Sequence, residues 1–256
     1  MRSSGQWSVV RQTHGPLITD HWPLRLESNA MEIRPLLLGH RGSRGEKSIP
    51  ENTLASFDFA LAHGCDGFEF DVRFTADGHA VVCHDAKTGG LEIAQSPAQQ
   101  LGLLLLRDVL TRYQSNAFLD IELKVRGLET ITVDLLRKHA PARGFVVSSF
   151  LPEVLQTVNR LDATIPLGLI CETREQFSRW LQLPVEYVIP HGALVRRDLI
   201  SEDVISEMKA AGKKILVWTV NAPADMKRFS QRGVDGIISD DPKRLAVTLR
   251  QQVEKT

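Results

Sequence analysis

Apolar and polar residues alternate strictly in two short runs of the chain. In residues 67–73, every second position from 68 to 72 is apolar, and the positions between them carry Glu69 and Asp71. Residues 118–124 repeat this pattern, with Glu122 among the polar positions. Because successive side chains of a strand point to opposite sides, both runs are predicted to be strands with one apolar face and one acidic face.

Short apolar runs of strand length recur along most of the chain. They cover residues 36–41, 67–72, 79–84, 118–124, 144–149, 166–171, 187–190, 214–220 and 235–239. The segments between them mostly have the period of amphipathic helices, which favours the α/β class and a parallel sheet closed into a (β/α)₈ TIM barrel. Nine runs exceed eight barrel positions, and residues 75–78 are too short a link for a crossover helix. Either that unit lacks its helix or one run lies outside the barrel.

Two intervening segments carry specific signals for helices. Residues 53–63 have apolar side chains at spacings of three and four from Leu54, with Asn52 as the predicted N-cap and Gly64 as the stop. Residues 101–106 are leucines apart from one glycine, and we predict that they form a buried helix face. Both segments are therefore expected to pack against the sheet.

Composition and charge exclude several classes of protein. The chain has 256 residues, 43% hydrophobic and 24% charged, as expected for a soluble protein with one large domain. Lysine plus arginine number 31, as do aspartate plus glutamate, so nothing indicates binding to nucleic acid or to an anionic membrane surface. No stretch reaches the roughly 18 to 20 apolar residues that span a bilayer, so stable membrane insertion is not expected.

The cysteines and the N-terminal residues bear on location. Cys65, Cys83 and Cys171 are odd in number and form no C-x-x-C motif, so neither a disulfide framework nor a zinc site is predicted. Residues 1–30 lack the continuous apolar core of a secretory signal, and we interpret them as an N-terminal extension without regular structure, followed by one domain over residues 31–256. These features favour a cytoplasmic protein.

The acidic faces of the two alternating runs are candidates for chemistry. Glu69 and Asp71 lie about 7 Å apart along one strand, and burying two like charges at that distance requires compensation. If Glu122 faces the same cavity, three carboxylates surround one point, and an all-oxygen ligand set favours Mg²⁺ or Ca²⁺ over zinc. For each run taken alone, a half-exposed strand with a polar outer face is the alternative.

Two histidines indicate that the acidic strand faces line a functional site and are not simply exposed to solvent. His40 ends the first strand run, and His84 ends the third, directly before Asp85. Active-site residues of TIM barrels gather at the carboxyl ends of the strands, where the acids also lie. Histidine is the side chain best suited to proton transfer near neutral pH. The pattern therefore predicts one site that combines acids and histidines.

Several short motifs occur in a characteristic order. They are Leu38-Gly39-His40-Arg41-Gly42, Pro50-Glu51-Asn52-Thr53, Glu69-Phe70-Asp71-Val72, Thr75-Ala76-Asp77-Gly78, His84-Asp85, Ile121-Glu122-Leu123-Lys124, Trp218-Thr219-Val220-Asn221 and Gly233-Val234-Asp235-Gly236-Ile237-Ile238-Ser239-Asp240. Any one of them is weak evidence, but in this order they resemble the glycerophosphodiester phosphodiesterase family over residues 36–242. The resemblance implies a TIM barrel of the phospholipase C-like phosphodiesterase type.

The resemblance also implies an activity and a set of site residues. Enzymes of this family hydrolyse a glycerophosphodiester to glycerol 3-phosphate and an alcohol with a divalent cation, in lipid and glycerol metabolism. Their metal ligands fall on Glu69, Asp71 and Glu122, and their acid and base fall on His40 and His84. Which histidine is the acid, and whether water or a substrate hydroxyl attacks, stays open at this point.

Four further residues match positions that border the substrate in this family. Arg41 and Lys124 match residues that face the phosphate, and Trp218 matches a pocket wall. Glu51 matches a site residue that is either a metal ligand or an anchor for the glycerol hydroxyls. The chain departs from many relatives at residues 86–90, which replace an Arg-Thr-Thr element, so contacts to the leaving alcohol are not carried over.

Two alternatives to this activity are open on sequence alone. A lysophospholipase D-type enzyme would use the same site on lysophospholipids. A barrel without catalysis would only bind a phosphorylated metabolite. In each case the predicted partner is a small molecule, and the oligomeric state is undetermined.

Overall fold

Eight parallel strands close into a barrel in this computed structural model, which describes residues 34–196 and 200–250. The described residues contain eleven strands: β1 (Leu36–Gly39), β2 (Gly67–Phe74), β3 (Ala80–Val82), β4 (Lys87–Thr88), β5 (Leu91–Glu92), β6 (Phe118–Leu123), β7 (Phe145–Ser149), β8 (Leu167–Cys171), β9 (Tyr187–Pro190), β10 (Lys214–Val217) and β11 (Gly236–Ser239). The barrel consists of β1, β2 and β6 to β11. Barrel strands pair in parallel with their neighbours, and β1 pairs with both β2 and β11, which completes the ring. The predicted (β/α)₈ TIM barrel is confirmed.

Helices lie between the barrel strands and, in the case of the last helix, after β11. They are α1 (Leu54–Ala62), α2 (Ala98–Leu101), α3 (Leu106–Tyr113), α4 (Glu129–His139), α5 (Pro152–Leu161), α6 (Arg174–Ser178), α7 (Gly192–Arg196), α8 (Glu202–Ala210), α9 (Pro223–Gln231) and α10 (Pro242–Arg250), with 3₁₀ turns at Ile93–Gln95 and Arg179–Gln182. Parallel strands need long crossover connections, and these helices supply them.

The third predicted strand run lies outside the barrel. β3 pairs with the end of β2 in the antiparallel direction, with Val82 opposite Val72, and β4 and β5 form a separate two-stranded sheet. We name residues 75–105, which contain these strands, the insertion. Helix α3 follows the insertion and provides the crossover of this unit. One run outside the barrel, and not a missing helix, is therefore the correct alternative.

The alternation in β2 separates an apolar layer from the barrel interior. Phe68 and Phe70 pack between the strands and the helices without exposed surface, whereas Glu69 and Asp71 take the opposite side. A second apolar cluster fills the inside of the barrel, formed by Leu38, Phe118, Val146, Ile170, Tyr187, Ile189, Leu216 and Ile238. The interior is therefore a packed core, as in other barrels of this type, and the polar groups lie towards the carboxyl ends of the strands.

Helix α1 begins with a different cap from the one predicted. The Thr53 hydroxyl accepts a hydrogen bond from the Ser56 N–H at 3.3 Å, and the Thr53 N–H donates to the Ser56 hydroxyl at 3.2 Å. Asn52 instead has a left-handed backbone, and its side chain donates to Asp71. The Asn52 prediction was wrong because asparagine suits both an N-cap and a buried polar contact. The stop at Gly64, with φ of 94°, is confirmed.

Residues 101–106 do not form one buried helix face. Gly102, with φ of 61°, ends α2, and α3 begins only at Leu106, which is fully buried. Leu103 and Leu104 are half-buried and line an open cavity. The prediction was wrong because a left-handed glycine interrupts the run and turns the chain.

The fold does not test the predicted N-terminal extension or the predicted cytoplasmic location. Residues 1–30, the predicted extension, lie outside the described residues. Each helix within residues 34–196 and 200–250 is too short or too polar to cross a bilayer. The cytoplasmic location stays a prediction.

We expect Phe57→Ala to destabilise the barrel strongly. Phe57 is fully buried, and its ring stacks on Phe68 with centroids 4.1 Å apart, so truncation leaves a cavity that costs about 3 to 5 kcal/mol in free energy of unfolding. Phe59→Ala is the matched control, because Phe59 is half-buried on the same helix and its loss costs about 1 kcal/mol. Urea unfolding followed by circular dichroism measures both, and equal losses would contradict the assigned buried face.

Candidate active site

Three carboxylates meet inside the barrel where β2 and β6 lie side by side. The register places Glu69 opposite Asp120 and Asp71 opposite Glu122. One carboxylate oxygen each from Glu69, Asp71 and Glu122 lies within 4.8 Å of the others, and all three residues are buried. We name these three residues the carboxylate cluster. The structure thus brings together the acids that the alternation singled out.

Positive and amide groups compensate one side of the carboxylate cluster. Lys124 Nζ is 2.8 Å from Glu122 Oε1 and 3.3 Å from Asp71 Oδ1. Asn52 Nδ2 donates to Asp71 Oδ2 at 2.9 Å, and Arg41 Nε is 3.3 Å from the same oxygen. Burial raises the pKa of Asp71, but Lys124 and Arg41 more than offset this and hold that pKa below its ordinary value. Asp71 is therefore ionised.

The other two acids of the cluster are harder to ionise. Burial and the nearby Asp71 charge raise the pKa of Glu122 to about 8. Burial, followed by the charges of Asp71 and Glu122, raises the pKa of Glu69 well above its ordinary value. Buried carboxylates that cannot all ionise on their own match the electrostatics of a site for a divalent cation.

Two residues with left-handed backbone hold the donors of the site. Arg41 has φ of 50° and Asn52 has φ of 59°, a region that costs residues other than glycine about 1 to 2 kcal/mol. The Arg41 N–H donates to Glu69 Oε2 at 2.9 Å, and the Asn52 N–H donates to the Arg41 carbonyl at 3.1 Å. At Gly42, with φ of 79°, a Cβ would lie 2.5 Å from the Ser56 hydroxyl oxygen. This turn therefore requires glycine at position 42.

Two side chains of the site each leave one buried atom without a hydrogen-bond partner in the described part of the chain. These atoms are Glu69 Oε1 and Arg41 Nε, whose neighbouring Asp71 oxygen is too poorly aligned for a hydrogen bond. Unpaired buried polar atoms are rare and call for an explanation. The first is an acceptor within an all-oxygen set, which fits a hard divalent cation, and the second is a donor, which fits an anion.

His40 follows β1 and is almost completely enclosed. Its Nδ1 is 2.7 Å from Asp240 Oδ1, and its Nε2 is 3.8 Å from Glu69 Oε2. The Trp218 ring lies beside it, with centroids 6.2 Å apart. Burial would raise the pKa of Asp240, but contacts with His40 and Asn221 lower it to about 2. An ionised aspartate therefore holds the imidazole.

His84 follows β3 in the insertion and is more open to solvent. Its Nδ1 is 2.8 Å from Asp85 Oδ1, and its backbone carbonyl accepts from Arg73 Nε at 2.7 Å. Burial lowers the pKa of His84 below its ordinary value, so the ring is neutral at pH 7. Its side chain is 33% exposed, compared with 8% for His40. His40 and its aspartate partner are therefore more enclosed than His84 and Asp85.

Glu51 lies outside the carboxylate cluster. Its Oε1 is 2.7 Å from Arg41 Nη1, and its Oε2 is 3.4 Å from Arg44 Nε. In this geometry Glu51 orients the Arg41 guanidinium. Trp218, on the other border of the site, donates its Nε1–H to the Ile189 carbonyl at 3.0 Å.

An open cavity of about 650 Å³ adjoins His84 and Glu51. Its walls come mostly from the insertion and from the segment that leads into α1, with one residue from α3. They combine apolar and polar side chains, among them Leu54, Val82, Leu103, Leu104, Asp85, Lys87, Thr88 and Asp108. The site therefore has room for a small molecule beside the histidine of the insertion.

A family model of known enzymes matches most of this chain. It is the model of the Glycerophosphoryl diester phosphodiesterase family, and it matches residues 40–118 and 114–244. The chain belongs to this family. Membership makes it an enzyme of the phosphoric diester hydrolase class, as the order of the motifs implies.

Individual glycerophosphodiester phosphodiesterases agree with this membership. One from Caldanaerobacter subterraneus subsp. tengcongensis is 28% identical over 249 residues, which cover 86% of this chain and 99% of the relative. A phosphodiesterase structure from Oleispira antarctica, in complex with the product sn-glycerol-3-phosphate, is 26% identical with a TM-score of 0.73 and covers 85% of this chain and 97% of its own. A Thermotoga maritima structure of this type, 24% identical with a TM-score of 0.72, covers 86% and 100% and supports the fold.

Sequence reasoning missed several residues of this phosphodiesterase site. They include Asn52, Asp120, Asn221 and Asp240. Asp120 lies beside Glu69, and burial raises its pKa to about 7 although the Ser148 hydroxyl donates to it. Their signal is positional: most lie in or just after a barrel strand, where such folds collect site residues.

We expect the metal-free enzyme to lose stability as the pH rises from about 5 to about 8. Glu122 has a folded-state pKa of about 8 against an ordinary 4.5, so its stabilising contribution is complete below pH 4.5 and is lost as the pH rises through 8. In excess chelator, Glu122→Gln removes this loss, so its free energy of unfolding should fall less between pH 5 and pH 8 than that of the wild type, by up to about 4 kcal/mol.

Denaturant unfolding at pH 5 and pH 8 measures this difference. Glu207→Gln is the control, because Glu207 is exposed on α8, and it should follow the wild type. The same pH dependence in Glu122→Gln and in the wild type would contradict the electrostatic picture of the cluster.

Proposed function

We propose that this protein hydrolyses glycerophosphodiesters to sn-glycerol 3-phosphate and an alcohol, with a divalent cation and two histidines. The observation that carries the proposal is the buried carboxylate cluster, bordered by cationic side chains and by histidines, in a member of this family. The product in the Oleispira antarctica structure supports a small ester of glycerol phosphate as the substrate.

Glu69, Asp71 and Glu122 are the proposed ligands of the cation. Their oxygen atoms favour Mg²⁺ or Ca²⁺, and the unpaired Glu69 Oε1 is a free ligand atom. When bound, the cation supplies positive charge that polarises the phosphate and offsets the charge of the cluster. Asn52 and Lys124 hold the carboxylates of Asp71 and Glu122 in place from the other side.

Arg41 and Lys124 are proposed to bind the phosphate. Burial lowers the pKa of each, but neighbouring carboxylates more than offset this and raise both pKa values above their ordinary values, so both side chains are charged. Fixed positive groups stabilise the negative charge that builds up on the phosphate in the transition state. The planar guanidinium of Arg41 can contact two phosphate oxygens, and Glu51 holds it in direction.

His40 and His84 are proposed to transfer the protons. One removes a proton from the attacking group, which is either water or a substrate hydroxyl, and the other protonates the departing alkoxide. Each such step contributes roughly 10²- to 10⁴-fold to the rate. The two rings enter the site from different elements, the end of β1 and the insertion, which suits groups that act on different oxygens of one phosphate.

The cavity beside His84 is proposed to receive the leaving alcohol. Its volume, about 650 Å³, lies within the range of small-molecule sites. Lys87 and Thr88, where the chain departs from the Arg-Thr-Thr element of many relatives, lie on its wall. Head-group preference is therefore the property in which this enzyme is expected to differ from those relatives.

Removal of divalent cations is expected to abolish hydrolysis. After dialysis against EDTA, release of glycerol 3-phosphate from glycerophosphocholine should fall at least about 100-fold and return with Mg²⁺, Ca²⁺ or Mn²⁺. Full activity in excess EDTA would overturn the role of the cation.

Lysophosphatidylcholine, assayed in parallel with glycerophosphocholine, should be the poorer substrate. The reverse order of activities would favour the lysophospholipase D-type alternative.

His40→Ala and His84→Ala are each expected to lower kcat by about 10²- to 10⁴-fold, because each removes one proton-transfer group. His79→Ala is the matched control, since His79 is exposed in the insertion, away from the carboxylate cluster. Circular dichroism should report a folded barrel in all three variants. Wild-type kcat in either of the first two would remove that histidine from the mechanism.

A further inference from the structure

The ends of three adjacent barrel strands supply a chain of hydrogen bonds that reaches His40. β1 and β11 pair with Gly39 opposite Ser239, so the residues that follow them, His40 and Asp240, lie side by side. β10 neighbours β11, and Asn221 lies beyond its end. Asn221 and Asp240 belong to motifs that the family resemblance uses, but the function proposed above gives neither of them a role.

The side-chain amide of Asn221 has one orientation. Its Oδ1 accepts hydrogen bonds from the Ser239 hydroxyl and from the Asp240 N–H, both at 3.0 Å. The Asp240 N–H can only donate, which identifies that atom as the oxygen, because the amide nitrogen cannot accept. The Nδ2 group therefore faces Asp240 and donates to its Oδ2 at 2.7 Å.

The direction of the Asp240 carboxylate follows from this contact. Asn221 occupies Oδ2, and Oδ1 then points at His40 Nδ1 at 2.7 Å. A carboxylate only accepts hydrogen bonds, so a neutral His40 ring carries its proton on Nδ1. Nε2 then carries the lone pair and lies 3.8 Å from Glu69 Oε2, on the side of the carboxylate cluster.

We infer that Asp240, held by Asn221, is a positioning residue that fixes the tautomer and the ring orientation of His40. The inference rests on the proposed acid-base role of His40 and deepens it. Nε2 exchanges a proton with the reacting oxygen, while Nδ1 keeps its hydrogen and its bond to Asp240 throughout. The ionised carboxylate also stabilises the imidazolium that forms when Nε2 takes up the proton.

A purely structural role for Asp240 fits the contacts less well. Its ion pair with Arg44 is long, 3.5 Å, and the Arg44 side chain is 44% exposed, so that pair contributes little. Backbone hydrogen bonds already join the two strand ends, from the His40 N–H to the Ser239 carbonyl and from the Gly45 N–H to the Asp240 carbonyl, both at 2.8 Å. The side chain of Asp240 is therefore not needed to join the strand ends, and its contact with the imidazole calls for another role.

Asp240→Asn and the double variant Asp240→Asn/Asn221→Asp separate these roles. In the single variant, the amide at position 240 can take two orientations. In one, its NH₂ group faces the NH₂ group of Asn221, so two donors oppose each other. In the other, its NH₂ group faces His40 Nδ1, which must then accept, so the ring proton lies on Nε2. In the double variant the two groups exchange roles: the carboxylate at position 221 accepts from the amide at position 240. The oxygen of that amide again accepts from His40 Nδ1.

We expect Asp240→Asn to lower kcat by about 100-fold or more with KM within about threefold, and the double variant to recover to within about tenfold of the wild type. Asp58→Asn is the matched control, because Asp58 accepts from Tyr113 and Arg112 outside the site, and its kcat should not change. Wild-type kcat in Asp240→Asn would overturn the inference. A double variant as slow as the single one would overturn its basis in the tautomer.

The ¹⁵N NMR spectrum of histidine-labelled protein at alkaline pH provides a readout that does not depend on turnover. His40→Gln assigns the resonances. In the wild type and in the double variant, Nδ1 of His40 should be protonated and Nε2 unprotonated, with the reverse or a mixture in Asp240→Asn.

The wild-type spectrum tests the inference even if a variant does not fold. A wild-type ring protonated on Nε2 would overturn it. A reversed tautomer in Asp240→Asn with unchanged kcat would instead leave the positioning intact and overturn the proposed acid-base role of His40.

Discussion

One electrostatic constraint explains most of the unusual local structure: three carboxylates share one buried point inside a barrel. Removing a carboxylate from water costs several kcal/mol even after relaxation, so each needs nearby compensation. Lys124 follows the strand that carries Glu122, and Arg41 and Asn52 come from the turn after β1. Both of these turn residues have a left-handed backbone, a strained conformation that directs their donor groups at the acids.

The barrel meets this constraint through register. Parallel pairing of β2 with β6 sets Asp71 level with Glu122, and the period of two sends their apolar neighbours outward into the layer beneath the helices. A second apolar cluster fills the interior and excludes bulk water from one side of the acids. The charged groups are therefore concentrated at the end of the barrel that substrates can reach.

The features that could be predicted from sequence depend on local periodicity. Side-chain direction along a strand follows a strict period, so alternation predicted that Glu69 and Asp71 share one face, and the histidines at the strand ends favoured a site on that face. Periodicity does not encode strand direction, so the sequence alone leaves open whether the run that forms β3 belongs to the barrel. Asn52 was misassigned for a related reason, since one residue type serves both a helix cap and a buried contact. The bond between His40 and Asp240 spans 200 positions and depends on barrel closure, which local patterns do not report.

The two histidines lie in different parts of the fold. His40 sits at the seam where the first and last barrel strands join, whereas His84 is carried by the insertion, whose strands take no place in the ring. Substitutions or changes of length in the insertion can therefore remodel the cavity beside His84 without disturbing the charge balance of the barrel. Such a division would let the lining of the cavity diversify during evolution while the carboxylate cluster and His40 are inherited unchanged.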